Sequence, residues 1–145
     1  MIIAIGLCTH QLHAQTDVTR TIWTITQTFA VENPCTEEIV DLTVIMTIES
    51  HTVTNKNGTR MYTKQKHVWD GIGRTSGLRY HGIYSGSGHR HDLNNGGSTV
   101  HSKSNIVLVS KGSSANWHLK YITHETVNAN GAPTASVDIN NSICK

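Results

Sequence analysis

The chain lacks a helical signature. Across its 145 residues no window of eleven or more places apolar side chains at i, i+3, i+4 and i+7 with helix formers between them. It is also poor in charge: Asp, Glu, Lys and Arg make up 15% of the residues, against roughly 25% in an ordinary globular domain. The net charge is +2 with histidine neutral, and the basic residues are scattered along the chain. No basic stripe marks a nucleic-acid track or an anionic-membrane patch, so neither is expected as a partner. No run approaches the ~20 apolar residues of a membrane-spanning helix. The chain has no G-x-S-x-G elbow. The glycines of Gly71-Ile72-Gly73 have neither the spacing nor the following helix of a phosphate loop. The serines of Ser85-Gly86-Ser87-Gly88 sit in a flexible-looking run rather than a nucleophile context. Nothing in the sequence implies a cofactor.

Threonine and glycine fill the space that charge leaves. Threonine is β-branched and suits a pleated, half-buried surface. The first fifteen residues stand apart. Met1 to Leu7 is apolar and uncharged, and Leu12-His13-Ala14-Gln15 supplies a small residue where a signal peptidase would cut. Residues 1–15 read as a secretory signal segment and residues 16–145 as one β domain, with a buried first strand as the competing reading of the apolar run. No Lys or Arg precedes that run, a departure that a longer signal beginning upstream would account for. Leu7-Cys8 is a poor lipoprotein match. The expected location is secreted or periplasmic.

Removal of the segment leaves two of the three cysteines, Cys35 and Cys144, 109 positions apart. An even count in an exported chain points to a disulfide, with two separate buried thiols as the alternative. In the chain-entropy account, which is disputed, closing so long a loop stabilises by about 4–5 kcal/mol.

Alternation of period two recurs along the rest. A first strand over about Thr19 to Val31 sets Trp23, Ile25, Gln27, Phe29 and Val31 against Ile22, Thr24, Thr26, Thr28 and Ala30, and ends at Asn33-Pro34. A second, about Glu38 to Thr54, carries Val40, Leu42, Val44, Met46 and Ile48 on one face. Asn55-Lys56-Asn57-Gly58 is a strong turn signal. Further strands are predicted over about Thr59 to Trp69, Leu78 to Ser85, Ser98 to Ser110, Asn116 to Val127 and Pro133 to Ile143, with Gly86 to Gly97 as a loop and turns at Lys111 to Ala115 and Asn128 to Gly131. Seven or so strands, several longer than the usual five or six residues, joined in sequence order by tight turns, suggest an all-β antiparallel meander. Closure into a β-barrel removes its edges most simply, and a two-sheet β-sandwich is the alternative.

If the oilier face of each strand turns inward, the interior receives Trp23, Phe29, Leu42, Met46, Trp69, Leu119 and Tyr121. It also receives Gln27, Thr63, Gln65, His67, Tyr80, Tyr84, Thr123 and Glu125. Buried polar groups cost a few kcal/mol each unless partnered. They satisfy one another, hold water or face a cavity. The functional reading is a pocket lined by Gln65, His67, Tyr80, Tyr121 and Glu125, taking a small apolar or amphipathic molecule. The bland reading is a satisfied polar core, or a strand displaced by one residue. Acid–base work by His67 and Glu125 would need the carboxyl buried, which raises its pKa.

Of the ten histidines, the densest cluster is His89-Arg90-His91-Asp92. If a metal binds anywhere, His89, His91 and Asp92 are the candidates, but with no second cluster they read more simply as solvated or hydrogen-bonded side chains. Asn57-Gly58-Thr59 and Asn140-Asn141-Ser142 match the N-glycosylation pattern, which has meaning only in a eukaryotic source.

Asn33-Pro34-Cys35, the stretch Ser76 to Gly82 (SGLRYHG), Thr123 to Gly131 (THETVNANG) and the terminal Cys144 together resemble a family of small exported bacterial all-β proteins of uncharacterised function. The likeness covers most of the chain after the first fifteen residues. It implies export, the cysteine pair and the β fold, and supplies no activity and no catalytic residue. Three functional expectations follow. The leading one is a non-catalytic ligand-binding β-barrel. The second is a structural or protein-interaction β domain. The third, by fold analogy alone, is a cyclase- or isomerase-like barrel enzyme.

Overall fold

A computed structural model of the chain describes residues 16–112 and 116–145. The expected signal segment, Cys8 included, and part of the turn before the sixth strand lie outside the described residues. Seven strands form one sheet: β1 (Asp17–Asn33), β2 (Glu38–Asn55), β3 (Gly58–Gly73), β4 (Arg79–Leu93), β5 (Ser98–Ser110), β6 (Trp117–Val127) and β7 (Pro133–Cys144). They are hydrogen-bonded in sequence order and each neighbouring pair is antiparallel. The fold is therefore an all-β meander in one sheet rather than two.

The strands form where alternation is strongest, and the turns lie where the sequence punctuates. Asn55 Oδ1 accepts from the Asn57 N–H at 2.8 Å, and Asn128 Oδ1 accepts from the N–H groups of Asn130 and Ala132. Side-chain caps of this kind are what make asparagine a turn residue. One expectation fails. The composition of Gly86 to Gly97 predicts a loop, but β4 continues to Leu93, because Gly86 to Asp92 pairs with β3 on one side and β5 on the other. Two ladders outweigh the weak strand preference of Gly, Ser and His.

The register aligns the oily faces. Val44, Trp69, Gly82, Leu108 and Trp117 form one row across β2 to β6; Leu42, Gly71, Tyr80 and Ser110 form the next. The buried core is Val40, Leu42, Val44, Trp69, Tyr80 and Leu108, with Val31, Met46, Leu78, Tyr84, Ile106 and Trp117 packed against it. Phe29 of β1 meets Trp69 edge to face, ring centres 6.1 Å apart. All these side chains share one face.

That face is concave, as the disulfide shows. Cys35 follows β1, Cys144 ends β7, and they are bonded with Cα atoms 5.4 Å apart. In a flat sheet the two outer strands of seven would stand about 29 Å apart at the usual strand spacing. The sheet is thus rolled so that its outer strands converge at the cystine end, and the core fills the narrow end of the trough. It is not closed into a barrel: among the described residues β1 is laddered to β2 alone and β7 to β6 alone. An odd number of meander strands leaves the first and last parallel, so closure would require a parallel pair, slightly weaker per residue than the antiparallel ones elsewhere.

Candidate functional site

Every residue of the expected pocket lies on the concave face, but the five are not together. Gln65 (β3) and Tyr121 (β6) share one row through Gly86 and Ser104. Both line a depression of about 360 Å³ in the wider half of the trough, with Met61, Tyr84, Arg90 and Val100 around them. The Tyr121 hydroxyl donates to Asp138 Oδ2 at 3.2 Å, and that bond raises the phenol above its ordinary pKa. Tyr84 lies over Gly86, where a Cβ would sit 2.5 Å from the phenolic oxygen. The glycine therefore leaves the space the ring occupies.

His67 stands one row nearer the cystine. Its ring stacks on Tyr84 at 4.3 Å with the planes 20° apart. Burial lowers its pKa, favouring the neutral imidazole. Its Nε2 is buried without a hydrogen-bond partner, as is Nε1 of Trp69 on the next row. Two orphaned ring nitrogens on one face are costly unless something else meets them.

Tyr80 belongs to the core end instead. It is 2% exposed, and its hydroxyl donates to Glu38 Oε2 at 2.9 Å. Glu38, itself 8% exposed, also accepts from the Thr75 and Ser76 N–H groups at 3.0 and 2.6 Å and from Ser76 Oγ at 3.0 Å. The Ser76 N–H does most to hold this carboxyl below its ordinary pKa; burial alone would raise it. Burial is also the main reason the Tyr80 phenol is raised. Glu38 thereby ties the β3–β4 turn to the core. Sequence reasoning assigned it no role. The one available signal was an acid heading an apolar strand.

Glu125 is exposed near the wide end, opposite Val100 and Ser136. The row of His67 runs through Tyr84 and Ile106 to Leu119. Glu125 lies six residues further along β6, about 20 Å at the usual strand rise. That separation prevents a shared proton-transfer site with His67.

His89 and His91 project from the opposite face of β4, and Asp92 from the concave one, as the alternation of a strand requires. His89 stacks on Tyr62 at 4.5 Å, Arg60 Nε donates to His91 Nε2 at 3.4 Å, and Arg90 Nε donates to both Asp92 oxygens. Among the described residues no three His, Cys, Asp or Glu side chains are grouped as metal ligands.

Chemically, the concave face offers an apolar wall of Met61, Tyr84 and Val100 with an amide, a phenol and a guanidinium at its margin. No family model, curated protein or solved structure matches the chain.

Proposed function

We propose that this chain is an exported, non-catalytic protein that holds a small amphipathic molecule on the concave face of its rolled sheet. The observation that carries the reading is the depression beside Gln65 and Tyr121. At about 360 Å³ it falls within the range of small-molecule sites, and its lining sets Met61, Tyr84 and Val100 among polar side chains that include Gln65, Arg90, Ser102, Ser104 and Tyr121, as an amphipathic molecule requires. Pairing of β1 with β7 around a bound molecule would close the trough into a barrel. The apolar run Met1 to Leu7 with the small residue of Leu12-His13-Ala14-Gln15, the Cys35–Cys144 bridge and the resemblance to small exported bacterial proteins support export. The distance between His67 and Glu125 argues against an enzyme of the cyclase or isomerase kind.

A second reading has its own observation. Trp23, Ile25 and Phe29 on the outer strand β1 are 39%, 39% and 40% exposed, as a protein-interaction surface would have them.

The test uses the mature chain purified from its source, examined by native mass spectrometry and by titration with cis-parinaric acid as a fluorescent amphipathic probe. A retained small molecule, or saturable probe binding weakened about 3- to 10-fold by Tyr121→Phe or Gln65→Ala, is expected from loss of one net hydrogen bond. Neither adduct nor saturable binding, or binding indifferent to both substitutions, overturns the reading.

A further inference from the structure

The opposite face of the sheet holds a separate feature. Sheet register places two rows side by side there. One runs Glu49, Lys64, Ser87, Lys103 and Ile122 from β2 to β6; the other runs Thr47, Lys66, Ser85, Asn105 and Lys120. These side chains line a shallow depression of about 870 Å³. Four of the chain's seven lysines therefore meet in one place, although their positions in sequence look scattered.

Their charge is not cancelled. Glu49 is the one acid lining the depression, and its carboxylate is held by Arg20 at 2.7 Å. Other acids are engaged elsewhere: Asp41 with Arg74, Asp70 with His81, Asp92 with Arg90. Among the described residues none of the four lysines makes an ion pair. At sheet spacing, Lys64 and Lys66 stand about 7 Å apart and Lys64 and Lys103 about 10 Å apart. Like charges so placed repel one another, and an anionic ligand relieves the cost.

We infer that this face binds an anionic polysaccharide along the Lys64, Lys66, Lys103 and Lys120 cluster. The lysines meet the acidic groups. Ser85, Ser87 and Asn105 between them both donate and accept, as sugar hydroxyls require and a bare polyphosphate would not. Charges about 7–10 Å apart suit a polymer with an acidic group every sugar or two better than a densely charged one. The lining contains no aromatic ring and no arginine, the groups on which single-stranded nucleic acid stacks. A bilayer surface would rest on projecting side chains and leave the depression unfilled.

The experiment measures binding of a heparin-derived hexasaccharide and an oligogalacturonate by fluorescence polarisation near physiological salt, with a single-stranded oligonucleotide and phosphatidylglycerol vesicles in parallel. One or both glycans bind more tightly than the oligonucleotide and vesicles. Lys64→Gln/Lys103→Gln weakens binding at least tenfold and Lys64→Arg/Lys103→Arg retains it. Lys56→Gln/Lys111→Gln, which removes equal charge elsewhere, changes it less than twofold. Sulfated and carboxylated arms together identify which acid is read. Absence of glycan binding, tighter binding of the oligonucleotide or the vesicles, or an equal loss in the Lys56/Lys111 variant overturns the inference.

Discussion

Glu38 shows what a single side chain does here. Its carboxylate gathers a phenol, a hydroxyl and two backbone N–H groups while almost excluded from water. Charge-assisted bonds of this kind favour the ionised form, so the folded carboxyl titrates below its ordinary value of 4.5. The unfolded chain takes up this proton first as the solution is acidified. The stabilisation is therefore complete above about pH 5 and is lost as the pH falls through the lower folded value. Glu38→Gln keeps the shape and removes the charge. Its urea midpoint is expected to lie below wild type at about pH 7, with the gap narrowing as the pH falls below the ordinary carboxyl value of 4.5. A gap that stays constant across this range would mean the charge contributes nothing. Alternation correctly placed Tyr80 on the inward face, but no pattern in the sequence names its partner. Glu38 and Tyr80 are 42 positions apart, and the contact exists only once β3 has turned back on β2 and β4 on β3.

At the scale of elements, strands and facing were legible because period two is insensitive to small errors in where a strand ends. Trp23, Leu42, Trp69 and Leu119 share a face in the folded sheet as they do in the alternating sequence. The second half of β4 was not legible, since its Gly, Ser and His residues carry turn-like composition while pairing on both sides holds them extended. The lysine cluster was hidden for a related reason: Lys64, Lys103 and Lys120 become neighbours through register alone. Close strand packing also gives glycines unequal roles. A Cβ at Gly71 would lie 2.2 Å from the Asp41 carbonyl oxygen and 2.8 Å from Leu42 Cδ2. Backbone cannot yield as a flexible side chain does, so Gly71→Ala must spread β2 from β3 beside the core. A loss of about 1–3 kcal/mol is expected, the usual cost of overpacking. Gly88→Ala, whose Cβ would meet nothing nearer than 3.8 Å, serves as the control and should be neutral or slightly stabilising. Urea denaturation of the pair checks this, and equal stabilities would show that the ladder accommodates the methyl group.

For the whole molecule the deciding property is the roll of the sheet, and two agents hold it. One is the core, which bridges the trough at its narrow end through Val40, Leu42, Trp69, Leu108 and the half-buried Trp117. The other is the Cys35–Cys144 bond, which joins the turn after one outer strand to the end of the other. The pairing followed from cysteine count once residues 1–15 were set aside. Whether the outer strands would meet did not follow, because closure depends on strand number and curvature rather than on any residue. Cys35→Ser/Cys144→Ser should lower stability by about 4–5 kcal/mol on loop entropy alone, an effect that acts through the unfolded chain and says nothing about shape. Shape is read separately, from the distance between spin labels on Thr28→Cys in β1 and Asn141→Cys in β7, both exposed positions. Among the described residues no ladder joins β1 to β7, and the Cys35–Cys144 bond restrains their separation covalently. Its loss is expected to lengthen and broaden the distance distribution measured by pulsed dipolar spectroscopy in the native state. The concave site beside Gln65 and Tyr121 would then loosen with it, so probe affinity should fall in parallel. An unchanged distribution in a destabilised variant would assign the roll to the core alone and leave the cystine a restraint on the unfolded chain.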